Sequence, residues 1–160
     1  MEGYLRVLIT VMNNWTYKHF SELSTAELYD ILELRSKVFV VEQNCVYQDL
    51  DFKDQKSWHL MGWNNGQLTA YVRVLPPGVS YSEASIGRVI THPNYRRSGL
   101  GKELMQIAID KTCAQFGVKT IKIGAQCYLH QFYTNLGFSV SGDEYLEDGI
   151  PHVEMVWQEQ

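Results

Sequence analysis

Apolar and polar positions change their period several times along the chain, and each change marks an element. Trp15–Phe20 alternates weakly, as a first strand does. Leu28, Ile31, Leu32, Arg35, Val38 and Phe39 then recur at helical spacing, with Arg35 the polar intruder on that face. Ser24 and Glu27 ahead of them have the spacing of a capping box. After Asn44 the chain turns loop-like. Trp58–Trp63 and Leu68–Leu75 flank Asn64-Asn65-Gly66-Gln67, and an Asn-Gly pair between two strand-like runs predicts a tight hairpin. Pro76-Pro77-Gly78 closes the second strand, and Ser85–Thr91 reads as a third, ended by His92-Pro93.

From Gly99 the period becomes helical again. Leu100, Leu104, Ile107 and Ala108 mark one face, Lys102, Glu103, Gln106 and Asp110 the other, and Gly117 is placed to end the helix near Phe116. Thr120–Ala125 is a short strand. Leu129, Phe132, Tyr133 and Leu136 form a short helix stopped by Gly137, and Phe138–Val140 and Val153–Trp157 are final strands around a turn at 148–151. The order β α β β β α β α β β predicts an α/β or α+β sheet protein.

The chain has 160 residues, enough for one domain that buries a core without staples. Residues 1–12 read as an N-terminal extension and 13–160 as a single domain. A formal net charge of −4 argues against nonspecific binding of nucleic acid or anionic lipid. Cys45, Cys113 and Cys127 are an odd set without a C-x-x-C pair, which excludes a disulfide framework or a cysteine-rich zinc site and suits the cytoplasm. Leu5–Met12 contains Arg6, is too short to cross a membrane and makes a poor secretory signal.

The chemistry points to Ile86–Gly101. A strand leads through an arginine-rich, glycine-bearing loop into a helix N-terminus, where unpaired N–H groups and the dipole favour an anion. Arg96, Arg97 and Lys102 add positive charge, and Gly99 and Gly101 let a phosphate approach the backbone. A P-loop is excluded because Arg96 stands where its first glycine belongs and Glu103 follows Lys102; a dinucleotide fingerprint is excluded because Leu104 replaces its third small residue.

Arg96-Arg97-Ser98-Gly99-Leu100-Gly101 resembles the Q/R-x-x-G-x-G/A pyrophosphate loop of the GNAT N-acetyltransferases, and Phe132–Phe138 resembles that family's F-Y-x-x-x-G-F signature. Leu34–Asp51, Ile86–Ile90 and Glu147–His152 are similar to the ElaA-like branch. The resemblance implies a GNAT-type fold: a mixed, mostly antiparallel sheet flanked by helices, with splayed strands holding acetyl-CoA. It implies acetyl transfer to a primary amine, on a small molecule or peptide, by direct attack in a ternary complex. No metal is implied. The diphosphate would lie on the amides of Arg97 to Lys102, the pantetheine arm along Val89, Ile90 and Thr91, and a backbone N–H near Val89 would face the thioester carbonyl.

Tyr133 matches the family's general acid; a neutral phenol can protonate a departing thiolate. Gln126 stands where the family often has an asparagine bonded to the pantetheine arm. For the base, Glu42 is the first candidate and His152 the second. The alternative is a silent acetyl-CoA or CoA sensor, which would not need Tyr133. Arg35 should seek a carboxylate among Glu42, Asp49 and Asp51. Asp49, Asp51 and Asp54 lack the spacing of a calcium loop and read as a flexible acidic lip or a solvated loop. Cys45 has no neighbouring base or cation to make it a nucleophile. An edge strand near the C-terminus offers a homodimer surface.

Overall fold

The computed structural model describes residues 12–160. The expected extension over 1–12 therefore lies outside the described residues, Met12 excepted. The strands are β1 (Asn14–His19), β2 (Trp58–Asn64), β3 (Gln67–Leu75), β4 (Ser85–Thr91), β5 (Thr120–Gln126), β6 (Phe138–Glu147) and β7 (Ile150–Gln158). The helices are α1 (Thr25–Arg35), α2 (Leu100–Phe116) and α3 (His130–Asn135).

The capping box at Ser24 is formed in both directions: Glu27 N–H donates to Ser24 Oγ at 3.1 Å, and Ser24 N–H to Glu27 Oε2 at 2.8 Å. Past Arg35 the expected helix continues as a π-helical turn over Ser36–Glu42, with Val38 buried beneath it. A π segment carries one extra residue per turn and often marks a functional site. Here it brings Glu42 and Gln43 to the cleft described below.

Four strands pair antiparallel in the order β1-β2-β3-β4, and three more in the order β5-β7-β6. Both faces of β3 are covered. Ala70, Val72 and Val74 pack with Leu104, Met105 and Ala108 of α2, while Tyr71 packs with Ile31 and Leu34 of α1. The Asn65-Gly66 hairpin forms as expected, with φ of 47° and 78° at its two residues.

The last hairpin is longer than the sequence pattern indicated. Asp148-Gly149, with φ of 49° and 78°, makes the same kind of two-residue turn, so Ile150 and Pro151 belong to β7. Pro151 lies where β7 has a neighbour on one side only, because β5 joins at the Gln126–His152 pair. The free edge near the C-terminus is β6; the terminal strand β7 lies inside its sheet.

The two sheets meet where β4 and β5 run side by side. They touch through one parallel bridge, Ala84 with Ile121, and Lys122 N–H donates to Ala84 O at 3.0 Å. Beyond it the strands part. On β4, Arg88 and Val89 both stand opposite Val72, a bulge in which Arg88 takes a φ of 55°. The extra residue breaks the β4 edge where the gap opens.

Candidate active site

The gap between β4 and β5 is a cleft of about 660 Å³. At one end lie Thr91 and Arg96; at the other, Lys53, Arg73 and Tyr81. Of the expected cofactor residues, Val89, Ile90, Thr91, Arg96 and Gln126 line it. Arg97, Ser98, Gly99, Leu100, Gly101 and Lys102 continue past its Arg96 end into α2. Arg97 and Gly99 take left-handed φ of 61° and 83° on either side of Ser98, which curls the loop before the helix. The first intrahelical bond of α2 is Glu103 N–H to Gly99 O, so the amides of Leu100, Gly101 and Lys102 lack acceptors within the helix. A methyl group at Gly99 would meet nothing within 4 Å, so the space over the loop is open.

Glu42 and Gln43 cross the cleft. Glu42 Oε1 accepts from Arg96 Nη1 at 2.7 Å, with both side chains 39% exposed. Gln126 Nε2 donates to Gln43 Oε1 at 3.4 Å. Glu42, the first candidate base, is thus engaged by a guanidinium of the expected pyrophosphate loop.

Tyr133 reaches the cleft from α3. It is 6% exposed, edge-on to Phe132 and Phe138, and its hydroxyl has no hydrogen-bond partner among the described residues. Burial pushes its pKa above the ordinary phenol value, which keeps it neutral.

His152 lines the cleft from β7, across from the β4 side, nearly buried and stacked on Tyr145 at 5.7 Å. Its Nδ1 lies 2.7 Å from Ile150 O. A carbonyl only accepts, so Nδ1 carries a hydrogen, and in the neutral ring Nε2 holds the lone pair. That Nε2 faces Glu147 Oε2 at 3.4 Å.

The aspartates are neither a flexible lip nor a solvated loop. Arg35, fully buried, bonds Asp49 at 2.8 Å and Asp54 at 2.7 Å, leaving Glu42 to Arg96. Arg73 bonds Asp51 at 2.8 Å and Asp54 at 2.9 Å, and Arg88 bonds Asp49 at 2.7 Å. Three arginines and three aspartates so form one lattice behind β4. Burial alone would raise Asp51 and Asp54, but the bonds and charges of the arginines hold both below the usual carboxylate range. His59 beneath them accepts from Tyr71 Oη at Nδ1 (2.7 Å) and donates from Nε2 to Asp54 O (3.1 Å); burial lowers its pKa to about 4. Among the described residues no group of three or more His, Cys, Asp or Glu could hold a metal ion.

Arg73, Gln43, Tyr81 and Glu147 escaped the sequence reading. Arg73 had a signal: a cation between Val72 and Val74 in a strand buried on both faces must be paired.

A family model described as an acetyltransferase (GNAT) domain matches residues 22–159. Protein ElaA of Escherichia coli is 41% identical over 146 residues, covering 90% of this chain and 95% of that one. The crystal structure of Escherichia coli ElaA matches with a TM-score of 0.86 at 40% identity, over 92% of this chain and 100% of that one. That of an acyl-CoA N-acyltransferase from Pseudomonas aeruginosa matches with a TM-score of 0.87 at 40% identity, over 91% and 99%.

Proposed function

Since the chain belongs to the GNAT acetyltransferase family, we propose that it transfers an acetyl group from acetyl-CoA to a primary amine by direct attack within a ternary complex. What carries the reading is one juxtaposition: the neutral Tyr133 hydroxyl stands in the cleft where β4 and β5 separate, with the open amides of α2 just beyond its end. The diphosphate lies over the curl at Arg97–Gly99, beside Arg96 and Lys102. The pantetheine arm follows Val89–Thr91, the stretch of β4 that β5 leaves unpaired, with Gln126 on the facing wall. A backbone N–H near Val89 serves as the oxyanion donor.

The acceptor amine loses its proton to His152 Nε2, whose lone pair is fixed by the Nδ1 bond to Ile150 O. The resulting imidazolium rests against Glu147. The amine nitrogen bonds the thioester carbon, the C–S bond breaks, and Tyr133 donates its proton to the thiolate. The products are an amide and CoA. His152 takes the role of base because Glu42 is paired with Arg96. The protein acts in the cytoplasm, where its free cysteines stay reduced; among the described residues, no helix is long and apolar enough to cross a membrane.

The test is a calorimetric titration of the full chain with acetyl-CoA and with CoA, followed by amine-dependent thiol release. Micromolar binding with turnover supports the transferase. Binding without turnover on any amine supports a silent sensor, and no binding removes both.

A further inference from the structure

The end of the cleft away from Arg96 is richer in hydrogen-bond donors than acetyl transfer to a simple amine requires. Arg73 lines it with its side chain 3% exposed. Its Nη1 serves Asp51 and Asp54 and its Nη2 serves Asp51, while Nε is buried without a partner among the described residues. A buried guanidinium N–H without an acceptor is rare and points to a missing one.

Two further cations share the space. Arg88 is carried into the cleft by the β4 bulge in a left-handed conformation that non-glycine residues seldom adopt. It bonds Asp49 and Asp51 through Nε and Nη2, lies near the rings of Phe39 and Tyr47, and stays 23% exposed. Among the described residues Lys53 Nζ reaches only a neutral partner, Ser80 Oγ, at 3.0 Å. With Arg35, these make four cations against Asp49, Asp51 and Asp54. Asp51 faces the same space, but Arg73 occupies both its oxygens. The opposite wall carries the proton acceptor His152 and the carboxylate of Glu147.

We propose that this end holds a carboxylate of the acceptor, and that the acceptor is a small zwitterion, an amino acid in chemical class, whose amine faces His152 while its carboxylate meets Arg73, Arg88 and Lys53. A carboxylate suits the planar, edge-on donors of arginine. The acceptor is compact because the hydroxyls of Tyr81 and Tyr145 lie so close over Gly124 that even a methyl there would collide with them. The inference rests on reading this cleft as an acyl-transfer site.

Its test uses the full chain saturated with CoA. The standard amino acids, β-alanine and γ-aminobutyrate, each beside its carboxamide, are titrated for binding and, with acetyl-CoA, assayed for thiol release. At least one acid should bind ten-fold or more tightly than its amide. Arg88→Gln and, separately, Lys53→Met should bring that ratio towards one with acetyl-CoA binding unchanged; Lys53 lies outside the buried lattice, so its variant guards against misfolding. Absence of binding by every acid, equal binding of acid and amide, or a preference that survives both substitutions would overturn the proposal. Transfer to amines without carboxylate preference removes this inference and leaves the transferase. Carboxylate-dependent binding without transfer keeps the carboxylate subsite and overturns the acceptor role together with the transferase.

Discussion

The two walls of the cleft treat ionisable groups in opposite ways. Behind β4, Arg35, Arg73 and Arg88 face Asp49, Asp51 and Asp54, and nearly every charge has a partner within hydrogen-bond distance. Across the gap, the Tyr133 hydroxyl has no partner among the described residues, and His152 Nε2 faces the Glu147 carboxylate at 3.4 Å without a hydrogen bond of its own. A group locked in ion pairs has its protonation state fixed and serves to hold geometry. A group left open in a half-dry cleft can give or take a proton. The lattice wall therefore holds geometry, and the tyrosine–histidine wall is the one we propose to react.

The sharpest way to break that contrast is to remove a proton from the reacting wall. Tyr133→Phe should lower turnover by about 10²–10⁴-fold, the range for a general acid, while acetyl-CoA binding measured by titration stays intact. Turnover near the original rate would assign the acid elsewhere. On the lattice wall the loss should appear in stability. Arg35→Ala leaves three aspartates of the lattice against two arginines and should destabilise the fold by about 3–5 kcal/mol in denaturant unfolding. A loss below about 1 kcal/mol would mean that the lattice is loosely held.

A smaller effect comes from His59, buried neutral under the lattice with a pKa of about 4. The unfolded chain takes up that proton below about pH 6.5, the folded one only below about 4. Stability is therefore full above 6.5 and falls as pH drops towards 4, by on the order of 3 kcal/mol. Asp51 and Asp54, held low by their arginines, stay charged across that window. His59→Gln should flatten the curve of melting temperature against pH; an unchanged slope would place the proton elsewhere.

The smallest effect concerns the bridge between the walls. In the proposed site Glu42 would compete with a diphosphate for Arg96, so Glu42→Gln should tighten CoA binding, by a few-fold given that exposed pairs are worth roughly 1 kcal/mol or less. Weaker binding would return Glu42 to a direct role in the site.

Much of the scaffold was legible because its causes are local. The capping box needs Ser24 and Glu27 three residues apart, the hairpin needs Asn65-Gly66, and the loop before α2 needs Gly99 where φ turns positive. The place of Tyr133 in the cleft was legible through its motif alone. The second tight turn was spread over 148–151, which hid the pairing that sets Glu147 near His152.

What the sequence determined by itself is therefore the order of elements, the glycine-bearing loop that opens α2 and the family. Each depends on residues within a turn or two of one another, where backbone sterics and hydrogen-bond reach settle the outcome. Which carboxylate meets which guanidinium was decided only in the tertiary structure. Arg35 had three carboxylates in prospect and took one of them together with Asp54, while Glu42 went to Arg96. Ion pairing acts through space over a few ångströms, and the distances that decide it exist only after β3, β4 and the π-helical turn have packed together.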